Sequence, residues 1–366
     1  MNRCHRPLFL AVALAGALFS LPLYPASLGG LNDGYTPPLT PKPTSKAVPK
    51  PKSTPKPYVP AEEPAPQPAS IPARAPTPAP VAADDPAIAC WRDGAWQADC
   101  AFAAYPGGPQ FRIVGGDLSF TMGTRQGSDA MAFDDEHPPH PVRFQRRFAL
   151  AETEVSVAHY LACVQDGGCR EPQWRETGSQ YHYQTGSEKA YYLAWHAHQP
   201  TSPITGIDWN DARAYAAWLT KKTRQSYALP TEAQWEYAAR GNKSARWYFG
   251  NDESRLKEEA WYGANSGYRL HAVGSTPRNS HPWGLKDMAG NAWEWVADCW
   301  HGNYQNPPDN GDRAWEGENG GECGLRVIRG GSWRYSAWLT RAADRVRNST
   351  VDRDDDVSFR PARMLP

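Results

Sequence analysis

A regular spacing of apolar residues along this chain is rare, and where it occurs it predicts short helices. The clearest case follows Asp208, which can cap a helix that runs to about residue 222. The buried stripe of this helix is expected to consist of residues at helical spacing, namely Ala212, Tyr215, Ala216 and Leu219.

Two further helices are predicted from start signals. Thr231 is followed three positions later by Gln234, which is the pattern of a capping box. A helix is therefore expected to begin after Thr231 and to end at Gly241. A shorter helix is expected over residues 156–164.

Strand-like apolar runs are short and few, such as residues 142–148 and 325–329. The intervening segments are rich in Gly, Pro, Asn and Trp. This pattern predicts an α+β domain with little regular secondary structure, held together by aromatic packing and disulfides.

The first residues have the organisation of an export signal. Residues 1–6 are basic, residues 7–23 are almost wholly apolar, and small residues follow at Ala26 and Ser27. We interpret residues 1–27 as a cleaved secretory signal of bacterial type, which predicts a periplasmic or secreted protein. The alternative is an uncleaved anchor helix, and only in that case is contact with a membrane expected.

Residues 28–86 are dominated by Pro, Ala, Lys, Thr and Ser and cannot bury a core. They are expected to form a polyproline-II spacer, which extends by about 3.1 Å per residue. A tether across the cell envelope and an ordinary disordered linker are both consistent with this composition.

All sixteen tryptophans lie after residue 90, so one globular unit is expected to follow the linker. It divides into a short disulfide-bounded segment, 87–105, and a main domain, 106–366. The formal net charge is zero, and without a basic face no nucleic-acid partner is expected.

Six cysteines remain after Cys4, and an even count behind an export signal predicts disulfides. Proximity along the chain favours three pairs, which are Cys90–Cys100, Cys163–Cys169 and Cys299–Cys323.

Four ordered blocks suggest a family. They are EVSVAHY at 154–160, PITGIDWNDA at 203–212 continuing to LPTEAQWEYAARG at 229–241, GLKDMAGNAWEW at 284–295, and RGGSW at 329–333. Together they closely resemble the sulfatase-modifying factor family, whose best-known member is the formylglycine-generating enzyme. The resemblance covers about residues 106–366 and implies a C-type-lectin-like variant fold.

The resemblance also implies a chemistry that this chain lacks the residues for. Enzymes of the family bind Cu(I) through two cysteines shortly after the Gly-Gly-Ser turn, and soft thiolates suit that ion. Here residues 333–340, which follow Ser332, contain neither cysteine nor histidine. Copper binding and formylglycine synthesis are therefore not expected.

Calcium is a second implication of the resemblance. In family members that bind calcium, the third block supplies a side-chain oxygen, two carbonyls and a glutamate, which correspond to Asp287, Gly290, Ala292 and Glu294. Carboxylate and carbonyl oxygens in an irregular loop are suitable ligands for a hard cation. The alternative is that Asp287 and Glu294 pair with arginines or cap backbone amides.

The resemblance places a ligand groove around the Gly-Gly-Ser turn. Its candidate residues are Ser332, Trp333, Tyr335, Trp338, Arg341 and Arg345. Exposed aromatic side chains suit stacking on a peptide or sugar, and arginine suits a carboxylate or phosphate. The alternative for the two arginines is burial in ion pairs with Glu154, Glu236 or Asp344.

Three hypotheses for function remain. The leading one is an exported binding module without oxidase activity, which presents its groove to an envelope peptide, glycan or partner protein. The second is a divergent maturation enzyme that acts on an exported substrate. The third is a structural protein of the envelope.

Overall fold

The helices begin where side chains cap their first amide groups. In the computed structural model, Ser156, Asp208 and Thr231 each accept a hydrogen bond from the amide three residues ahead. The helices are α1 Val157–Gln165, α2 Ala190–Leu193, α3 Trp209–Thr223, α4 Glu232–Arg240 and α5 Leu256–Glu259. The three helices predicted from the sequence are α1, α3 and α4, and their ends agree with the prediction to within one or two residues.

The structure describes residues 85–98, 100–193 and 197–366. The predicted signal, and the linker as far as residue 84, lie outside this part. The described residues belong to one compact unit. In the described part, no helix has the length and apolar character needed to cross a bilayer.

Thirteen short strands are described. They are β1 Trp91–Arg92, β2 Ala95–Trp96, β3 Ala101–Ala103, β4 Gln110–Ile113, β5 Ser119–Met122, β6 His140–Arg143, β7 Phe148–Ala151, β8 Tyr227–Ala228, β9 Trp293–Trp300, β10 Glu322–Arg329, β11 Arg345–Ser349, β12 Val357–Phe359 and β13 Ala362–Met364.

These strands form two larger sheets and two hairpins. One sheet has the order β3-β4-β7-β13-β8 and the other β11-β10-β9-β12, while β1-β2 and β5-β6 are hairpins. Strand β12 runs parallel to β9, and the other pairs of the larger sheets are antiparallel. Because β3 lies at the edge of the five-stranded sheet, the segment 87–105 contributes a strand to the main domain.

The strand expected over residues 142–148 is divided in two. Residues up to Arg143 belong to β6, which pairs with β5, and Phe148 begins β7 in the five-stranded sheet. The polar residues Gln145 and Arg146 between them are exposed. The chain changes sheets at this point, so a continuous strand does not form.

Three disulfides join the cysteine pairs predicted from proximity. They are Cys90–Cys100, Cys163–Cys169 and Cys299–Cys323. The α+β class, the sparse regular structure and the disulfide stabilisation are thus confirmed. Aromatic packing is equally clear, since Trp235, Trp247, Trp295 and Trp333 are fully buried.

Candidate functional site

Two glycines shape the turn that presents Ser332. Gly330 and Gly331 have φ angles of 99° and 77°, a region that side chains other than glycine rarely adopt. A Cβ atom at Gly331 would also lie 2.8 Å from the carbonyl oxygen of Leu339. The turn is tied to the third sequence block, because the Gly290 amide donates to the Gly330 carbonyl over 2.7 Å.

Ser332 is buried and faces a carboxylate. Its hydroxyl donates a hydrogen bond of 2.8 Å to Asp356, which lies just before β12. Arg334 forms an ion pair with Asp355 and lies 3.6 Å from Asp356. We call these residues the Ser332 site, together with Tyr335, whose amide donates to the Ser332 carbonyl over 3.2 Å.

Burial sets the protonation of this site. Desolvation raises the pKa of Asp356 to about 6, and the charge on Arg334 and the Ser332 hydroxyl reduce the shift. The pKa of Asp355 is also raised by burial. Near neutral pH, Asp356 can therefore gain or lose a proton at little cost, which is a property of functional carboxylates.

Exposed aromatic rings belong to the residues that follow Ser332 in sequence and to Tyr268, which contacts Trp333. Tyr335 is 38% exposed, and Trp338 in the following turn is 48% exposed. Tyr268 is 62% exposed and contacts the ring of Trp333 edge-on at a centroid distance of 6.1 Å. Trp333 itself is buried, so it supports this surface from beneath and does not line it.

The structure does not place Arg345 at the Ser332 site. Arg345 is buried and donates two hydrogen bonds, of 2.8 and 2.9 Å, to the carboxylate of Glu232. Arg341 is likewise buried and donates to both carboxylate oxygens of Glu136, with Asp344 3.5 Å away. Both arginines thus form internal ion pairs. Asp344 is the one expected partner that either of them approaches, and Glu232 and Glu136 were not expected.

Hydrogen bonds within the protein already occupy one residue of the predicted calcium loop. Both carboxylate oxygens of Glu294 accept hydrogen bonds of 2.7 Å from Arg360, and one also accepts from Trp235. Glu294 therefore does not fit the role of ligand. Asp287 fits better, because no N–H or hydroxyl donor reaches one of its buried oxygens or either oxygen of the adjacent Glu154, which leaves these two carboxyl groups to share a proton with each other or to hold a cation.

Burial and mutual repulsion raise the pKa of Glu154 well above its ordinary value, and burial raises that of Asp287. Protons or a cation can balance this charge. Calcium stays a prediction, held by Asp287 and Glu154 with carbonyl groups from Gly290 and Ala292 as further candidates.

No free thiol is available in the described part of the chain. Cys299, Cys323 and Glu316 come together, but the two sulfurs are joined to each other and cannot serve as thiolate ligands. A carboxylate oxygen of Glu316 lies 3.3 Å from the sulfur of Cys299 and 3.2 Å from Arg326.

The sequence reasoning missed the acidic side of the Ser332 site. Asp355 and Asp356 belong to an acidic run, residues 354–356, that could have been noticed just before Phe359 and Arg360. Its position beside Ser332 depends on the pairing of β12 with β9, which is not readable from local sequence.

Comparisons with known proteins identify the family of the domain. Residues 106–365 match the model of the sulfatase-modifying factor enzyme 1-like domain. The formylglycine-generating enzyme of Streptomyces coelicolor is 32% identical over 324 residues, which cover 77% of this chain and 96% of that protein.

An inactive Cα-formylglycine-generating enzyme 2 from Bos taurus is also 32% identical, over 44% of this chain and 50% of that protein. Among solved structures, PvdO from Pseudomonas aeruginosa is similar, with a TM-score of 0.61 and 33% identity. The match covers 74% of this chain and all of PvdO.

Proposed function

The chain belongs to the sulfatase-modifying factor family, and from that premise we propose that it is an exported binding module without copper-dependent oxidase activity. The Ser332 site and its exposed aromatic rings form the binding surface. The spacer at residues 28–86 tethers the domain in the cell envelope.

One observation supports the loss of oxidase chemistry above the others. The stretch from Trp333 to Thr340 offers no cysteine or histidine, and the cysteines of the described part form disulfides. Cu(I) requires soft ligands such as thiolates. The relatives include both a formylglycine-generating enzyme and an inactive one, so the family name alone does not decide the activity.

A peptide with basic side chains is the ligand we favour among envelope peptides, glycans and partner proteins. Two carboxylates, Asp355 and Asp356, face Arg334, and Asp354 next to them in sequence accepts a hydrogen bond from the neutral Asn348. The exposed ring of Tyr335 lies near enough to these aspartates to feel their charge. A lysine or arginine side chain can stack on such rings and is attracted by the carboxylates.

The oxidase part is tested with purified protein and the Streptomyces coelicolor enzyme as a positive control. Cu(I) binding is measured by competition with a chromophoric chelator, and oxygen consumption with a cysteine-containing peptide. We expect neither binding nor consumption. Stoichiometric tight copper binding, or oxygen uptake that depends on the peptide, would refute this part.

The binding part is tested by panning a displayed peptide library against the domain. Tyr335→Ala and Trp338→Ala serve as site variants, and Phe133→Ala, which alters another exposed ring, is the matched control. We expect enriched peptides to be rich in Lys and Arg, to bind the control normally and to lose affinity for the site variants. Equal binding to all variants would contradict the proposal, and retention on a glycan array instead would favour a sugar ligand.

A second candidate function, a maturation enzyme, is supported by Asp356. Its pKa of about 6 and its hydrogen bond to Ser332 suit a group that exchanges a proton with a substrate. In that case the wild-type protein would change the mass of a peptide that it captures. Asp356→Asn would still capture the peptide but would leave its mass unchanged. An unchanged peptide mass with the wild-type protein would remove this alternative.

A further inference from the structure

A cavity of about 590 Å³ lies between the segment after β5 and the segment after α4. Four arginines line it, namely Arg125, Arg240, Arg246 and Arg341, while Asp129 is the single carboxylate among its lining residues. No residue of the Ser332 site belongs to this lining. We call it the arginine pocket.

The floor of the pocket is held by carboxylates that do not line it. Arg341 donates hydrogen bonds of 3.0 and 2.6 Å to Glu136, and Arg240 donates one of 2.8 Å to Glu236. Both glutamates are fully buried. These ion pairs fix the two guanidinium groups before any ligand arrives, which reduces the entropy lost on binding.

Gly123 fixes the wall of the pocket. Its φ angle is 84°, and a Cβ atom there would lie 2.6 Å from the carbonyl oxygen of Glu136. Its amide donates to Glu236 over 2.8 Å, and its carbonyl accepts from Arg240 over 2.9 Å. The wall and the floor are therefore parts of one hydrogen-bonded unit.

The rim retains unused donors. Arg246 donates hydrogen bonds of 2.9 and 2.7 Å to the two oxygens of Asp129. An arginine has five N–H donors, so this pair leaves most of them available. Arg125 is exposed and has no ion-pair partner among the described residues.

The remaining lining is polar and uncharged in several places, with Thr121, Ser128, Ser244 and Asn251. The volume falls in the range of about 300–1,000 Å³ that is typical of small-molecule sites. Arginine forks match the planar or tetrahedral oxygens of carboxylates and phosphates.

We propose that the arginine pocket binds a small organic anion through its carboxylate or phosphate group, with Arg125 and Arg246 as the contacting residues. Arg240 and Arg341 shape the floor, where Glu236 and Glu136 balance their charges, so the attraction for an anion comes mainly from Arg125. This inference does not depend on the ligand or the activity of the Ser332 site.

The test is isothermal titration of the purified domain with inorganic phosphate and, separately, with citrate, at ionic strength matched with sodium chloride. The variant Arg125→Gln removes a contacting group that makes no ion pair, so the fold is retained. Arg146→Gln, which alters an exposed arginine outside the pocket, is the matched control. We expect saturable binding that Arg125→Gln weakens about tenfold, the loss of a single charge-assisted contact, and that Arg146→Gln leaves unchanged.

The two probes distinguish the source of the anion. If the pocket binds phosphate but not citrate, it prefers a phosphate group. If it binds citrate but not phosphate, it prefers a carboxylate. Either result supports the proposal. Arg246→Lys keeps the positive charge but loses the planar guanidinium, and we expect it to weaken anion binding. Its melting temperature should change only by the small amount that weakening the ion pair with Asp129 causes. Absence of saturable binding to either probe, or equal affinity of Arg125→Gln and wild type, would overturn it.

Discussion

Glutamates of the blocks that carry the family resemblance form ion pairs inside the protein. Arg329 pairs with Glu236, Arg345 with Glu232, and Arg360 with Glu294, and each of these side chains is buried. Burying either partner alone would be costly, so each arginine compensates a carboxylate that helix α4 or strand β9 brings into the core. Their first role is structural.

Replacement of Arg345 by methionine is expected to lower the free energy of unfolding by about 3 kcal/mol, because it leaves the buried Glu232 with only the more distant Arg329, 3.7 Å away, to balance its charge. Chemical denaturation measures the change. Arg313→Met is the control, since Arg313 forms an exposed pair with Glu318 and is expected to contribute about 1 kcal/mol or less. Equal stability of the two variants would return Arg345 to the list of ligand-binding candidates.

Calcium is expected to act through Asp287 and not through Glu294. Three buried carboxyl groups, Glu154, Asp287 and Glu294, lie near Arg360, which pairs with Glu294, and the first two are close enough to share a proton. We expect excess calcium to raise the melting temperature of the wild type and to leave that of Asp287→Asn unchanged, as a ligand of the native state should. Magnesium is the control cation. If calcium does not stabilise the wild type, the carboxyls are balanced by protons.

At the scale of elements, the helices were readable from sequence because their signals are local. The caps at Ser156, Asp208 and Thr231 lie next to the segments they start. Strand pairing is not local: β12 lies beside β9, more than fifty residues away in sequence, and this pairing brings Asp356 to Ser332. The groove predicted from sequence therefore contained the turn at Ser332 but not the carboxylates beside it. It also contained Arg345, which is buried by tertiary contacts that the sequence does not reveal.

The disulfides differ in the length of chain they close, and this predicts unequal contributions to stability. Cys299–Cys323 spans 24 residues, whereas Cys163–Cys169 spans 6. From loop-closure entropy we expect removal of the first to cost about 3 kcal/mol and removal of the second about 2 kcal/mol. Paired serine variants under denaturation measure both. A larger loss from the shorter loop would show that packing, and not chain entropy, dominates at these sites.

At the scale of the whole molecule, buried carboxyl groups should make stability depend on pH. Burial raises the pKa of Asp344 to about 8 and that of Asp298 to about 7. The native state therefore holds protons that the unfolded chain, with aspartate pKa values of about 3.9, has already released. This contribution is complete below about pH 4 and is lost as the pH rises through the native values.

Buried histidines change the free energy of unfolding with pH in the opposite direction, and they do so at lower pH. Burial lowers the pKa of His281 to about 3, so its contribution is present above the unfolded value of about 6.5 and is lost as the pH falls. Between about pH 6.5 and 8 the contribution of His281 is complete, and Asp344 and Asp298 together should lower the free energy of unfolding by about 2 kcal/mol. Denaturant unfolding at several pH values measures this slope. Asp344→Asn should flatten it and the exposed control Asp352→Asn should not, whereas stability that rises with pH would show that the arginines keep Asp344 ionised.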